Sequence, residues 1–253
     1  MSKPLAWRSM LLDSTGVIAR FYGRVGGHSE GAFASLNMGA LVDDDPAHLA
    51  ANEALVLDDL GATTLYLPQQ VHGQTVQVVN RVEPGVVRGE QGDAVWTDRR
   101  GVAVGVLTAD CVPILVTTEN RDFVGAIHAG WRGLYGGIVG RAIERITRLF
   151  CCRPYDLLAA IGPAIGPEQY EVSRELAQQF LTDRPELRGV LWPEKRKKPH
   201  LDLRTMALND LLHNEVSREN IELVGPTTHD ERCFSHRRDK GRTGRQLSAI
   251  LMT

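Results

Sequence analysis

Residues 104–116 read VGVLTADCVPILV, in which two short apolar runs flank a turn that carries Asp110 and Cys111. The runs are rich in valine and are bounded by glycine, aspartate and proline, which is typical of two β-strands that meet at a turn. A free cysteine is among the most buried residue types, so simple packing in a strand would explain Cys111. The alternative is a metal ligand or a nucleophile, and that role requires partners elsewhere in the chain.

Strand-like runs of this kind recur along the chain and are separated by helical patterns. From β-branched content and length we predict strands at residues 76–79, 102–107, 114–116, 123–127, 158–161, 221–224 and 247–251. We predict helices at residues 46–60, after an Asp45 cap and before Gly61, at 134–150, after Ser173 and after Asp202. Because the two kinds of element do not alternate strictly, the predicted class is α/β or α+β with mixed sheets.

The organisation of the chain indicates one domain over residues 1–253. The sequence has no internal repeat, no low-complexity tract and no Gly/Ser linker. Its 43% hydrophobic and 24% charged residues are ordinary for a globular protein. The charged segment 193–199, PEKRKKP, is predicted to be a solvated loop between helices. We expect the protein to be a monomer.

Charge and hydropathy restrict the partners of the protein. A net charge of -2 and a pI near 6.5 provide no overall basic field, so we expect no nucleic-acid partner. No run approaches the roughly 20 apolar residues of a membrane helix, and the opening MSKPLAWRSMLLD lacks an apolar secretory segment. We therefore expect a cytoplasmic location without membrane association. A reducing compartment would keep the four cysteines as thiols.

Two histidines lie where a strand is predicted to break into a glycine-bearing turn. They are His72 in LPQQVHGQTV and His128 in VGAIHAGWRGL, and they lie 39 and 17 positions from Cys111. This spacing excludes the paired pattern of a zinc finger, so the fold would have to assemble any site. Two imidazoles and one thiolate suit zinc, and they leave a fourth position for a water whose pKa zinc lowers towards roughly 7. Copper is also compatible, and unrelated polar residues near strand ends remain an alternative.

Arginine and amide side chains form the other candidate binding groups. Arg24 and Asn37 flank a glycine-rich loop, and Arg237 lies in the basic segment CFSHRRDKGRTGRQ. Arginine suits bidentate recognition of phosphate or carboxylate, although an exposed arginine without a ligand explains the same residues. The glycine-rich turn after His128 could also present backbone N–H groups to an anion, or its glycines could serve close helix packing.

Several motifs of this chain resemble those of YfiH-type proteins, also called laccase-domain or multicopper polyphenol oxidase-like proteins and purine nucleoside phosphorylases. FYGRVGGHSEGAFASLNMG, LPQQVHGQTV, QGDAVWTD, LTADCVPIL, GAIHAGWRGL, GPAIGPEQYEV, HLDLR and CFSHRRDKGRTGRQ occur in the family order. The resemblance covers residues 21–250 and implies a single α/β/β/α layered domain related to the cysteine-hydrolase fold of cytotoxic necrotizing factor. It also implies that His72, Cys111 and His128 bind a metal, usually zinc.

The chain departs from the family pattern at two places. It has Ala164 in GPAIGP where the family often has cysteine, and Thr227 and Thr228 where the family often has a Cys-Thr pair. These departures do not involve the three implied ligands. We interpret the remaining cysteines as packing residues: Cys151, Cys152 and Cys233.

The resemblance implies a zinc-dependent purine nucleoside phosphorylase acting on adenosine, inosine and methylthioadenosine, with adenosine deaminase activity. Cys111 and His128 would form the catalytic centre, and Asp110 is the candidate proton shuttle, although a turn residue of this kind is often structural. Arg24 or Arg237 would hold the phosphate. Asn37 and Gln70 would contact base or sugar edges. The partners would be a small-molecule nucleoside and phosphate.

Three other functions are compatible with the same residues. A peptidoglycan-editing amidase would remove a wrong amino acid, serine, from a UDP-muramyl precursor. Cys111 and His128 would then act either as metal ligands or, without metal, as a thiol nucleophile and its base. A copper-dependent polyphenol oxidase would need more ligands than one His/His/Cys set supplies. A binding module would show no metal-dependent turnover.

Overall fold

Strands and helices follow one another in mixed order through residues 3–80, 83–194 and 197–253, which the computed structural model describes. The helices are α1 (Met10–Asp13), α2 (Pro46–Leu60), α3 (Trp131–Gly136), α4 (Ile138–Phe150), α5 (Arg174–Asp183) and α6 (Leu203–His213). The strands are β1 (Ala6–Arg8), β2 (Val17–Tyr22), β3 (Thr64–Gln69), β4 (Val76–Val78), β5 (Gly85–Gln91), β6 (Ala94–Thr97), β7 (Val102–Thr108), β8 (Val112–Thr118), β9 (Val124–Ala129), β10 (Leu157–Ile161), β11 (Val190–Leu191), β12 (His200–Leu201), β13 (Ile221–Leu223) and β14 (Gln246–Met252).

Two six-stranded sheets form the centre of the fold. The first sheet has the order β1-β2-β14-β7-β3-β5, and the second has the order β13-β10-β8-β9-β6-β4. Three hydrophobic layers separate the elements: Val56 and Leu60 of α2 pack with the first sheet, Val104 and Leu115 pack between the sheets, and Ile143 of α4 packs with the second sheet. The predicted mixed class and the α/β/β/α layering are therefore confirmed.

Alternation along β9 determines which side of the second sheet each residue faces. Ile127 and Ala129 pack with the helices, whereas Val124 and Ala126 pack with the first sheet. Because side chains alternate along a strand, His128 faces the first sheet. It is the penultimate residue of β9 and therefore lies at an edge of the second sheet. The hydrophobic pattern of one strand thus aims a histidine between the sheets.

Gly125 of β9 is the tightest glycine position in the second sheet. It pairs with Trp96 across the strands, and a Cβ there would lie 1.6 Å from Cε3 of the Trp96 ring. We expect Gly125→Ala to lower the free energy of unfolding by at least about 3 kcal/mol, because the buried indole has no room to move. Gly61→Ala is the control, since its methyl enters open space and it bears only the strain of a φ of 66°, about 1 kcal/mol. Urea unfolding of both variants measures the difference, and equal losses would contradict the packing argument.

Several boundaries differ from those predicted. The helix predicted at 134–150 is two helices, because Gly137 adopts a φ of 82° between α3 and α4. Seven strands escaped prediction because they are short, or polar on one side, and depend on a partner strand: β1, β2, β3, β5, β6, β11 and β12. The loop predicted at 193–199 joins β11 to β12 rather than two helices, and residues 195–196 lie outside the described residues. Within the described ranges, no helix combines the length and apolarity needed to cross a bilayer.

Candidate metal centre

The centre lies at the edge where the chain passes from the first sheet to the second. Residues 109–111 connect β7 of the first sheet directly to β8 of the second, and Asp110 takes a φ of 97° in this tight turn. His72 lies in the loop after β3, and His128 lies near the end of β9. Three segments distant in sequence therefore bring their side chains to one edge, as the spacing required.

The three predicted ligands are brought together. Single ligand atoms of His72, Cys111 and His128 all lie within 4.8 Å of one another, and Sγ of Cys111 lies 3.8 Å from Nε2 of His72. The two imidazole rings meet edge to face at 4.9 Å between centroids. His72 is exposed, Cys111 is half-buried and His128 is buried, so the cluster opens to solvent on one side. Such an arrangement suits an ion that keeps a position for another ligand.

Gly130 allows the cluster to form. A Cβ at this position would lie 2.9 Å from Sγ of Cys111 and 3.1 Å from Cδ2 of His72. Any side chain would therefore displace two of the three ligand candidates. The glycine after the β9 histidine is explained by this close approach, in addition to its place at the start of α3.

Asp93 supports the cluster on its buried side, and its role was not predicted from the sequence. Its fully buried carboxylate accepts hydrogen bonds from Nδ1 of His128 at 2.7 Å and from the backbone amides of Val71, His72 and Gly73 at 2.7 to 3.2 Å. One carboxylate thereby orients both histidines. The bond to Nδ1 leaves Nε2 of His128 for the centre, which is how metal-binding histidines are commonly fixed. Asp93 lies in QGDAVWTD, so the motif was the available signal.

The electrostatics of the centre favour a thiolate. Burial raises the pKa of the Cys111 thiol, but the charges and hydrogen bonds of His128 and His72 outweigh burial and lower that pKa to about 6. Burial likewise opposes protonation of His128, but the Cys111 thiolate and the Asp93 carboxylate raise its pKa to about 9. The pKa of Asp93 is lowered despite its burial, because His128 and backbone amides donate to it. A thiolate beside two imidazoles matches the donor set of zinc.

The Asp110 side chain is directed towards the C-terminal segment. Its buried carboxylate accepts hydrogen bonds from the hydroxyls of Thr228 and Ser235 at 2.5 and 2.7 Å and from the backbone amide of Arg237 at 2.6 Å. These bonds tie the C-terminal segment to the turn that carries Cys111. Asp110 therefore has a positioning role in this conformation, and the predicted proton transfer would require one of these bonds to break.

The side-chain amides of Asn37 and Gln70, the two predicted amide contacts, form hydrogen bonds with backbone groups of nearby loops. Asn37 is fully buried, and its amide bonds to the backbone of Gly39 and Arg245 and to the carboxylate of Asp44. The amide of Gln70 bonds both backbone groups of Leu107 at 2.7 and 2.8 Å. That these residues contact a base or sugar edge stays a prediction, and in this structure their polar atoms hold loops through hydrogen bonds.

The two predicted arginines have different surroundings. Nε of Arg24 donates to the carbonyl of Ala34 at 2.5 Å, and its guanidinium lies 4.8 Å from the centroid of the Phe234 ring. Arg237 is exposed and lies 4.9 Å from the Tyr170 ring centroid. Its Nη1 donates to the carbonyl of Glu171 at 3.1 Å. Arg237 also lines a cavity of about 250 Å³ together with Ser235, whose hydroxyl bonds Asp110. Arg237 is thus the better placed of the two for an anion.

The cysteines interpreted as packing residues differ in burial. Cys233 is buried, which confirms the interpretation, and Cys152 is half-buried. Cys151 is exposed, so the interpretation is wrong for that residue. It follows α4 with a φ of 52°, and the turn at the helix end, rather than the apolar pattern, decides its exposure.

Comparisons with known proteins agree with this architecture. Residues 18–253 match the family described as multi-copper polyphenol oxidoreductase laccase. The chain is 35% identical over 248 residues to purine nucleoside phosphorylase YlmD of Geobacillus stearothermophilus, covering 93% of this chain and 90% of that protein. It is 37% identical over 232 residues to a purine nucleoside phosphorylase of Deinococcus radiodurans, covering 91% and 87%.

Solved structures show the same fold. The crystal structure of YlmD from Geobacillus stearothermophilus superposes with a TM-score of 0.87 at 33% identity, covering 99% of this chain and 97% of that chain. The crystal structure of YfiH from Bacillus licheniformis gives a TM-score of 0.85 at 31% identity, covering 94% and 93%. The layered fold of this chain is therefore the same as that of these two crystal structures.

Proposed function

Because this chain belongs to the multi-copper polyphenol oxidoreductase laccase family and its relatives include named purine nucleoside phosphorylases, we propose that it is a zinc-dependent purine nucleoside phosphorylase. The observation that carries the proposal is the cluster of His72, Cys111 and His128, whose ligand atoms lie within 4.8 Å of one another. The proposed nucleosides are adenosine, inosine and methylthioadenosine, with adenosine deamination as a companion activity.

His72, Cys111 and His128 would hold the metal. When bound, zinc supplies a Lewis acid for an oxygen of the substrate or of water. Copper can use the same nitrogen and sulfur donors. Asp93 fixes the orientation of His128 and of the His72 loop whichever ion is present, because its bonds are made by the protein alone.

The open side of the cluster is where substrate would enter. His72 is exposed there, and Arg237 lies beside the neighbouring cavity with its backbone tied to Asp110. An exposed guanidinium near the entrance attracts phosphate and can bind its oxygens in pairs. We propose that Arg237 contributes to phosphate binding in this way. Arg24 lies against Phe234 and has no comparable place.

Copper-dependent phenol oxidation receives less support from the site. Multicopper oxidation uses several ions, and the ranges that the structure describes contain one three-residue cluster of His, Cys, Asp or Glu with metal-ligand spacing. One cluster supplies ligands for one ion. The single centre therefore favours chemistry that needs one Lewis acid.

A second candidate function rests on the order of Asp93, His128 and Cys111. The Asp93 carboxylate accepts a hydrogen bond from Nδ1 of His128 at 2.7 Å, and His128 together with His72 lowers the pKa of the Cys111 thiol to about 6. This is the arrangement of a thiol nucleophile with its base. It would suit a peptidoglycan-editing amidase. The thiolate would attack the amide carbonyl, and His128 would give its proton to the departing amine of serine. Water would then hydrolyse the thioester on Cys111, which releases the carboxylate and restores the thiol.

A product assay distinguishes these functions. Zinc-loaded protein is incubated with adenosine, with and without phosphate, and adenine, inosine and hypoxanthine are separated by chromatography. We expect adenine to form only with phosphate, and inosine to form without it. His72→Ala should lower both rates by about 100-fold or more, since it removes a proposed ligand. His213→Ala is the matched control, because His213 is an exposed histidine at the end of α6.

The opposite results have clear meanings. If zinc-loaded wild-type protein leaves the nucleosides unchanged, the phosphorylase proposal is rejected. Release of serine from a UDP-muramyl precursor by the same sample would support the amidase. Equal activity of His72→Ala and His213→Ala would reject the metal centre as the site of either reaction.

A further inference from the structure

Arg245 lies at the same edge of the first sheet as the metal centre. It immediately precedes β14, whose first residue, Gln246, pairs with Thr108 at the end of β7. The chain then continues from Thr108 through two residues to Cys111. Strand register therefore places Arg245 beside the turn that carries the thiol, although 134 positions of sequence separate Arg245 from Cys111.

The backbone of Arg245 is held on both sides. Its amide donates to Oδ1 of Asn37 at 2.9 Å, and its carbonyl accepts from the amide of Met38 at 2.9 Å. Its side chain packs against Gly39, where a Cβ would lie 2.8 Å from Cγ of Arg245. The buried Asn37 thus has a structural task that the sequence did not predict: it positions an arginine.

The guanidinium of Arg245 is half-buried and forms no salt bridge with a carboxylate of the described residues. Within the described ranges its side-chain hydrogen bonds both start from Nη1 and go to the carbonyls of Thr243 and Gly244 at 2.9 Å, and no carboxylate lies within 4 Å of it. Burying a charge is costly unless the charge is paired. The Nε and Nη2 edge is the part of the guanidinium that can form two parallel bonds with an oxyanion.

Other half-buried arginines do not share this position. Three others also have no carboxylate within 4 Å in the described part of the chain: Arg24, Arg121 and Arg204. Arg24 lies on Phe234, Arg121 packs against Gly16, and Arg204 bonds the carbonyls of Val224 and Gly225. Arg245 instead interacts electrostatically with Cys111 and Asp110, which partly offset the lowering of its pKa by burial. It is therefore the half-buried arginine associated with the metal centre.

Two exposed arginines extend the positive charge to the entrance. The phenol of Tyr170 has its pKa raised by burial and then by Cys111, whereas Arg237 and Arg132 act to lower it. Tyr170 therefore lies among Cys111 and both arginines, and Arg237 lies 4.9 Å from its ring centroid. Arg132 and Arg237 therefore add positive charge near Tyr170, beside the negative charges of Cys111 and Asp110, and positive charge favours the approach of an anion.

We propose that the Nε and Nη2 edge of Arg245 binds the phosphate co-substrate at the metal centre, inside the entrance where Arg237 attracts it. This inference rests on the proposed phosphorylase function and adds the residue that holds the second substrate. An oxygen of hydrogen phosphate would form a bond to C1′ of the ribose while the C1′–N9 bond breaks. The bonding pair leaves on N9 and takes the phosphate proton, so nucleoside and phosphate become free base and ribose 1-phosphate.

The test compares Arg245→Gln, Arg245→Lys and Arg242→Gln as zinc-loaded full-length proteins. Arg242 is an exposed arginine of the same segment and serves as the matched control. We expect Arg245→Gln to raise the KM for phosphate by roughly 10- to 100-fold, with little change in the KM for adenosine, since it removes a charge-assisted bidentate contact. Arg245→Lys should lie between wild type and Arg245→Gln, because it keeps the charge without the paired donors. Calorimetric titration with inorganic phosphate should show the same order of Kd.

Each outcome has one interpretation. An unchanged KM and Kd for phosphate in Arg245→Gln, with wild-type phosphorolysis intact, would overturn the role of Arg245 alone. A wild type that forms no adenine from adenosine and phosphate would instead overturn the proposed function on which it rests. Equal losses in Arg242→Gln would show that general positive charge, and not this side chain, attracts phosphate. Zinc content and thermal midpoint equal to wild type confirm that the Arg245 variants are folded, as expected because the bonds to Asn37 and Met38 use its backbone.

Discussion

Replacing Cys111 by serine is expected to remove the bound metal and to lower phosphorolysis more than 100-fold. Loss of a residue that only orients a ligand already costs roughly 10- to 100-fold in metal affinity or activity, so loss of the ligand itself should cost more. The Cys111 thiol is predisposed to ionise at neutral pH, because His128 and His72 lower its pKa to about 6 against the effect of burial. A serine hydroxyl does not ionise in this range and would leave two imidazoles without an anionic partner.

Elemental analysis measures the zinc content of each protein, and the nucleoside assay measures its rate of phosphorolysis. Wild-type protein purified without added metal should carry about one zinc per chain, since the cluster offers one tetrahedral site. Cys151→Ser is the matched control, because Cys151 is an exposed cysteine at the end of α4. Cys111→Ser protein with full zinc content and full activity would refute the metal centre. Loss of activity with zinc retained would favour the thiol-nucleophile alternative.

Asp93→Asn is expected to have the second largest effect. The substitution keeps the shape of the side chain but replaces one acceptor oxygen by a donor, where the carboxylate now receives bonds from His128 and from the amides of residues 71–73. We expect zinc affinity to fall roughly 10- to 100-fold, because His128 loses the bond that fixes its orientation. The thermal midpoint should also fall, since each buried donor left without an acceptor costs about 1–3 kcal/mol.

Competition with a zinc chelator and thermal unfolding report the two parts of this effect. Asp122→Asn is a matched control, because Asp122 also holds a loop through a hydroxyl, that of Thr118 at 3.0 Å, but lies away from the centre. Asp93→Ala should destabilise more than Asp93→Asn, as it leaves all four donors without an acceptor. Wild-type zinc affinity in Asp93→Asn would show that the carboxylate does not determine the orientation of His128.

Elements with local signals were predictable from the sequence. Helix α2 begins after Asp45, whose side chain accepts from the amide of Ala47, and ends at Gly61 with a φ of 66°. Both signals lie within one turn of the helix end, so they need no tertiary partner. Strands such as β5 and β6 escaped prediction because their stability comes from neighbouring strands that are distant in sequence.

The candidate site divides in the same way. Residue chemistry and the family motifs identified His72, Cys111 and His128, and the fold brings their ligand atoms together. Asp93 was missed because a buried carboxylate behind two histidines has no spacing rule. The hydrogen bonds that Asp110 and Asn37 make with distant segments could not be predicted either, because the fold supplies their partners.

The class of elements, the caps of the helices and the residue types that can bind a metal could be predicted from the chain alone, because these depend on neighbours within a few positions. The tertiary structure alone decided which side chains share an edge and what each polar atom contacts. Register between β14 and β7 places Arg245 beside the Cys111 turn, and the loop after β3 meets Asp93 before β6. Such contacts join residues far apart in the chain, and only the packing of two sheets specifies them.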